Sequence, residues 1–355
     1  MQRREFMTGV LGSAAAPAWQ HNPSEKKKNK ADELCIGLES LDNLELFASK
    51  NDLVNRDGAP TLLLDGLTLV RNLEMDDAGL EVEILVENDC YPGLVFHAGD
   101  QNNFELAYTV PHISGQSDAM QYDPVFRGSN TWQIYNGPTY QQSAVLPKQK
   151  WFRLHIDVID TRAAIQVEDQ APLIVSPLAH GKRKGRMGFW SYKPAFFRNF
   201  RIGPPRPIDP PIGRQKVPQG TVMEWNLEGH GAVFCEPSGI LNLTRYIMPS
   251  NNPARLVRRF ETDRPAEIML DFGFSDELIL SVDKEPAFSG VNQFRGFATP
   301  GDRGWIRPDA HQVRRKIDKG EHEVVALLKA SEPFGWGLAL RLQGTGARWL
   351  PATSH

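Results

Sequence analysis

The chain has 355 residues, which suggests two domains at about 150 residues each. Hydrophobic residues make up 41%, enough to bury real cores and too much for a disordered chain. Forty Lys and Arg against 43 Asp and Glu leave a net charge of −3, so the strong basic excess of a dedicated nucleic-acid binder is missing.

The chain opens Met1-Gln-Arg-Arg-Glu-Phe-Met7, followed by a weakly apolar stretch to Ala16 and an Ala-x-Ala cleavage pattern at Ala16–Ala18. Residues 1–18 resemble a bacterial twin-arginine signal, which implies export to the periplasm or the cell exterior. No later run of about 18 apolar residues would span a membrane after processing. Residues 19–33 carry Lys26, Lys27, Lys28 and Lys30 and are expected to be a disordered spacer. In an oxidising compartment Cys35, Cys90 and Cys235 allow one disulfide, with Cys35–Cys90 the natural pair; three reduced thiols are the alternative.

From Leu34 onward the pattern is that of strands. Val82, Ile84 and Val86 take one face of a period-two segment while Glu81, Glu83 and Glu87 take the other. Further strands are expected over 93–97, 103–110, 131–135, 151–159, 163–168, 185–191 and 196–202, with turn residues between them. No stretch of helical period interrupts them. A proline-rich segment follows, with six prolines between Gly203 and Gly220. Proline fixes φ and donates no hydrogen bond, so this segment is expected to be an extended linker. Beyond it, strands are expected over 221–227, 254–261, 266–273, 277–282, 322–330 and 336–343, with a strand, a turn and a short strand over 275–290. The fold class expected is all-β, two β-sandwich (jelly-roll) domains at 34–203 and 221–345, joined by a linker at 204–220 and followed by a tail at 346–355.

Several segments of the first half carry a family likeness. Gly93-Leu-Val-Phe-His-Ala-Gly-Asp100, Asn103-Phe-Glu-Leu-Ala-Tyr108, Trp151-Phe-Arg-Leu-His-Ile-Asp-Val158 and Phe197-Arg-Asn-Phe-Arg-Ile202 resemble, in that order, strands of concanavalin A-like lectin/glucanase domains of the laminin G-like group. The segment from Met223 to Gln343 is similar to galactose-binding-like jelly rolls that accompany many secreted glycosidases. These resemblances imply carbohydrate as the partner.

The segment 112–136 is the candidate ligand site. It gathers Tyr122, Trp132 and Tyr135, whose rings suit the C–H faces of sugars, with His112, Asp118, Gln121 and Arg127, whose polar groups suit hydroxyls. The alternative is a structural cover in which these aromatics are core. The loop from Asn292 to Phe297, with Asp302 to Trp305, either holds a glycan or packs on the first domain, and packing is preferred.

No catalytic residue is assigned. Glu81 and Glu83 share a strand face, as a hydrolase pair would, but a solvated acidic face gives the same pattern. His97 and His155 are expected to be structural. Asp100 with Asn102 falls short of a calcium site, and no cofactor or metal is expected. The leading function is exported carbohydrate binding without chemistry. A glycan-acting hydrolase, glycoside hydrolase-like or keto-sugar hydrolase-like, and an envelope interaction protein are the alternatives.

Overall fold

The computed structural model describes residues 34–210 and 216–351. The expected signal and spacer, residues 211–215 of the proline-rich joint and the last four residues lie outside the described residues. The fold is all-β. Its helical turns among the described residues are three 3₁₀ segments, Pro111–Ile113, Leu243–Arg245 and Pro300–Asp302.

Alternation builds the first half as the sequence suggests. Leu80, Val82 and Ile84 are fully buried, and Glu81 and Glu83 point the other way. A sheet path runs through Gln141–Gln142, Met120–Tyr122, Asn103–Thr109, Tyr91–Asp100, Gly185–Gly203, Ala78–Leu85, Phe152–Ile159, Arg162–Val167 and Leu173–Val175. The two strands expected over 185–191 and 196–202 are one strand, Gly185–Gly203. Its register shifts between Ser191 and Ala195, and again between Arg198 and Arg201. Such irregularities bend a strand and increase its twist. The early part pairs with Tyr91–Asp100, and the late part with Ala78–Leu85 and Leu34–Ile36. Phe189 from the early part therefore packs on Phe197 and Phe200 from the late part, at ring distances of 5.3 and 4.6 Å. The sheet has folded over its own central strand.

A long hairpin, Leu44–Arg56 and Ala59–Met75, was not among the expected strands. Asp57 and Gly58 turn it with φ of 52° and 79°. Asp-Gly is a strong hairpin signal because both positions need positive φ. The strand expected over 131–135 is instead a set of turns, in which the N–H groups of Ile134 and Tyr135 both reach the Thr131 carbonyl. The buried Asp123 carboxylate captures the Thr131 N–H at 2.7 Å and the Asn130 side chain at 3.0 Å. Local side-chain bonds of this kind replace the ladder a strand would need.

In the second half, Gly231–Phe234, Glu224–Leu227, Ala254–Thr262, Gly320–Lys329, Glu277–Val282 and Glu285–Val291 follow one another in one sheet. Ile240–Asn242, Gly337–Gln343, Ala266–Ser275 and His311–Ile317 form a second. Phe272 and Phe274 of the second sheet meet Phe288 of the first at 4.9 and 5.6 Å, closing the sandwich. The tail is partly structured: Ala347–Trp349 pairs with Ala254–Thr262, and Trp349 packs on Phe260 at 5.7 Å. Cys35 is exposed, Cys90 is buried, and all three cysteines are free, so the Cys35–Cys90 disulfide is not formed.

Two hydrophobic clusters form, the first drawn mainly from the first half but taking in Ile240, Ile306 and Ala339 of the second, and the described residues belong to one compact unit. Arg206 pins the start of the joint to Asp157 through its backbone N–H and Nε, each at 2.7 Å. The seam between the two halves is dense. Gln133, fully buried, accepts from Ser275 Oγ at 2.8 Å and donates to Glu332 at 3.0 Å. Its carbonyl takes the Ile306 N–H at 2.9 Å. Arg245 reaches across to the Ala179 carbonyl at 2.6 Å and the Tyr135 hydroxyl at 3.2 Å.

Under this seam lies buried Glu105. It accepts from the Tyr122 hydroxyl at 2.6 Å and the His180 N–H at 2.9 Å. Burial pushes its carboxyl up to about 7, as it does for Asp123. Burial also pushes the His180 imidazole down to about 3, which keeps it neutral.

Two outcomes follow. Gln133→Ala strands several buried partners and is expected to cost about 2–4 kcal/mol, read as a lower urea midpoint; a wild-type midpoint would mean the seam contributes nothing. Glu105 ionises at about pH 4.5 when unfolded and about 7 when folded, so the native state holds the extra proton between those values. Its contribution therefore weakens as pH rises through that window. Relative to Glu105→Gln, the wild type should lose up to about 3 kcal/mol between pH 4.5 and 7.5; a pH-independent difference would contradict the assignment.

Candidate functional site

The outer face of the early part of Gly185–Gly203 carries the most open aromatic surface of the first half. Along this strand Met187, Phe189 and Ser191 point inward and are buried, so Trp190 and Tyr192 point outward. Tyr192 is 58% exposed. On the neighbouring strand Tyr91 and Gly93 share that outward face, with Tyr91 opposite Tyr192 and Gly93 opposite Trp190. Beyond Gly93 comes Tyr108, then Gln121, then Gln141, in one row across four strands.

Gly93 makes the row possible. A Cβ there would lie 2.6 Å from the Tyr108 Cβ and 2.3 Å from the Ala107 carbonyl oxygen. Without it, Tyr108 and Trp190 approach to 5.7 Å across the glycine. Tyr91 meets Tyr192 at 5.7 Å, Tyr108 at 6.4 Å and His112 at 5.0 Å. The result is a continuous strip of rings, with Trp190, Tyr91 and His112 half-buried and Tyr192 open. Burial, with Tyr192 adjoining, pushes the Tyr91 hydroxyl up to about 12, so it stays a neutral donor and acceptor. Burial lowers the His112 imidazole below its usual range, which keeps it neutral too.

The strip ends against the second half. Phe297 meets His112 at 5.9 Å, and the Arg303 guanidinium lies 4.3 Å above the Phe297 ring and 5.8 Å from Trp305. Asp118 holds Arg303 Nη2 at 3.1 Å, and both side chains are buried. Lys193 adds a cation near the open end, 5.9 Å from the Tyr192 ring.

The seven expected site residues scatter around this strip. His112 lies at its edge. Gln121 is buried beneath it, accepting from the Tyr108 hydroxyl at 3.1 Å and from Gln141 at 3.0 Å, so it orients the strip. Asp118 fixes Arg303. The other four are elsewhere. Tyr122 is fully buried on the opposite face, against Tyr135 and Tyr140, and Tyr135 is 3% exposed. Trp132 wedges into the seam between Phe294 and Phe334 at 5.6 and 5.4 Å. Arg127 donates across the seam to the Tyr246 carbonyl at 3.2 Å. Tyr122 and Tyr135 are buried and offer no open ring face for a sugar; Trp132 is half-buried, packed edge-on against Phe294 in the seam. The 292–305 loop does pack on the first half, as preferred, and brings its Arg303 to the strip.

Tyr91, Trp190 and Tyr192 were not singled out by sequence. Their signal was there in part: Trp190-Ser-Tyr192 places two aromatics at alternate positions of one strand.

Other sequence candidates resolve as structure. Glu83 accepts from Arg198 Nε at 2.7 Å, while Glu81 lies 3.8 Å from Arg153 and 3.4 Å from His155. Each acid faces a basic side chain from a neighbouring strand, an ion-pair ladder instead of two acids flanking one bond. His97 is buried with Nε2 2.7 Å from the Asp76 carbonyl. Asp100 accepts from the Asn102 N–H at 2.7 Å and the Asn103 side chain at 3.0 Å, closing a turn. Among the described residues no three His, Cys, Asp or Glu side chains are placed to hold a metal ion.

No family model matches the chain, and no curated protein matches its sequence. Among solved structures it is similar to a carbohydrate-binding module, CBM66, from Bacillus subtilis, at 15% identity and a TM-score of 0.36, over 45% of this chain and 95% of that one. It is also similar to a protein of unknown function with a galectin-like fold from Bacillus subtilis, at 12% identity and a TM-score of 0.37, over 49% of this chain and 97% of that one. A xylan beta-1,4-xylosidase from Bacillus halodurans is similar at 15% identity and a TM-score of 0.31, over 44% of this chain and 34% of that one.

Proposed function

We propose that this chain binds a glycan on the outer face of its first sandwich, along the strip of Trp190, Tyr91 and Tyr192. The observation that supports the reading is the strip itself: adjacent tyrosine and tryptophan rings, held in register by two paired strands and left partly open. Sugar rings present flat C–H faces, and aromatic faces cover them with little loss of side-chain entropy. The Tyr91 and Tyr192 hydroxyls, His112 and Lys193 stand at the margins, where ring hydroxyls would find them.

Binding without cleavage is the better supported activity. Hydrolysis of a glycosidic bond needs two carboxylates on either side of it. At the strip Asp118 is buried and committed to Arg303, Asp89 near Tyr91 is one exposed acid where a pair is needed, and the buried carboxyls raised to about 7, Glu105 and Asp123, are bonded into the scaffold of the 120–136 segment. The reading goes with export, as the twin-arginine-like N-terminus suggests, since a glycan binder works where glycans are.

The test is retention of the purified chain on a panel of immobilised polysaccharides, beside Tyr192→Ala and Trp190→Ala. At least one polysaccharide should retain the wild type, and each variant should weaken that retention roughly tenfold. Tyr192→Ala should leave the unfolding free energy in urea within about 0.5 kcal/mol of wild type, because its side chain is mostly solvated. No retention by any polysaccharide, or retention indifferent to both variants, would overturn the proposal.

A further inference from the structure

At the inner end of the strip, buried polar atoms stand without partners. Four buried side-chain nitrogens here have no hydrogen-bond partner: Arg303 Nε, Arg303 Nη1, Trp305 Nε1 and His112 Nδ1. They belong to one cluster: Arg303 lies over Phe297 and beside Trp305, and Phe297 touches His112. Arg303 is 4% exposed, and Asp118 occupies only its Nη2. Buried polar groups in folded proteins are almost always paired, so a cluster of orphans calls for a complement.

The chemistry of the orphans defines that complement. Guanidinium and indole nitrogens donate and never accept. Three of the four atoms therefore require an acceptor, and only His112 Nδ1 is free to take either role. A carboxylate is acceptor-only, with room for about four hydrogen bonds, and its bonds to guanidinium are among the strongest in proteins. A neutral sugar hydroxyl brings its own proton, which would find few acceptors here. Asp118 holds the guanidinium in place through one nitrogen and leaves the others unpaired.

We infer that the ligand of the strip is an acidic glycan, in which a uronic-acid carboxylate is received by Arg303 and Trp305 while the sugar rings lie on Tyr91, Trp190 and Tyr192. The inference rests on the glycan reading above and adds the class of sugar. Arg303 at the inner end and Lys193 at the open end place a cation at each end of the strip, with the acid Asp89 close to Tyr91.

The experiment is calorimetric titration of the full chain with tetrasaccharides of galacturonate, mannuronate, guluronate and glucuronate, each beside its neutral methyl ester, together with neutral tetrasaccharides from the retained polysaccharides. At least one acid should bind roughly tenfold or more tighter than its ester. That preference should shrink in Trp305→Phe, which removes one donor and keeps the ring, and vanish in Arg303→Met. Should Arg303→Met fail to fold, Trp305→Phe and loss of the preference with added salt carry the test. Equal binding of acid and ester, or binding of neutral tetrasaccharides alone, would overturn the acidic ligand and leave the glycan reading standing. Failure of every saccharide to bind would overturn both.

Discussion

The strand Gly185–Gly203 has to serve two layers at once, and most of the first half follows from how it does so. Its early residues lie between Tyr91–Asp100 and Ala59–Met75, and its late residues beside Ala78–Leu85. A straight strand of that length would leave one layer unpaired. The register shifts near Ser191 and Arg198 let the chain turn and keep pairing, and Phe189 then meets Phe197 and Phe200 in the core. Because side chains alternate, burying Phe189 commits Trp190 and Tyr192 to the outside. The aromatic strip is thus tied to the core by geometry, and it is as rigid as the strands that present it.

The second constraint is the seam. The 112–136 segment holds many aromatic and polar groups, and a chain that buries such groups must pair them. Here the pairing partners come from the other sandwich and from the sheet beneath: Gln133 with Ser275 and Glu332, Tyr135 with Arg245, Tyr122 with Glu105. These bonds join two cores that could otherwise move independently. They also bring Arg303 to the end of the strip, a residue the first half cannot supply for itself.

Much of the fold was legible. Period-two alternation marked Ala78–Leu85, which has one apolar face, and the apolar run Val324–Leu328 marked the core strand Gly320–Lys329. The turns over 131–135 were not legible, since aromatic and β-branched residues there have strand propensity that the Asp123 carboxylate overrides. Leu44–Arg56 was missed because its burial is only partial and its alternation weak. The candidate strip itself was not singled out by sequence. Sequence pointed to aromatic and polar residues of the first sandwich, and His112, Asp118 and Gln121 do surround the strip. Which face of a sheet an aromatic occupies depends on register, and one position separates a core Tyr122 from a half-open Tyr91. Arg303 lies far along the chain from every ring of the strip, so no local pattern joins them.

The central claim is that ligand engages the outer face of the Tyr91 and Trp190 strands while the 120–136 segment is structural. Hydrogen–deuterium exchange with and without a bound oligosaccharide tests it most directly. Slowed exchange at 91–93, 188–194 and 297–305, with 131–135 unchanged, is the predicted footprint. Protection confined to 120–136, or to the second sandwich away from Arg303, would contradict the account.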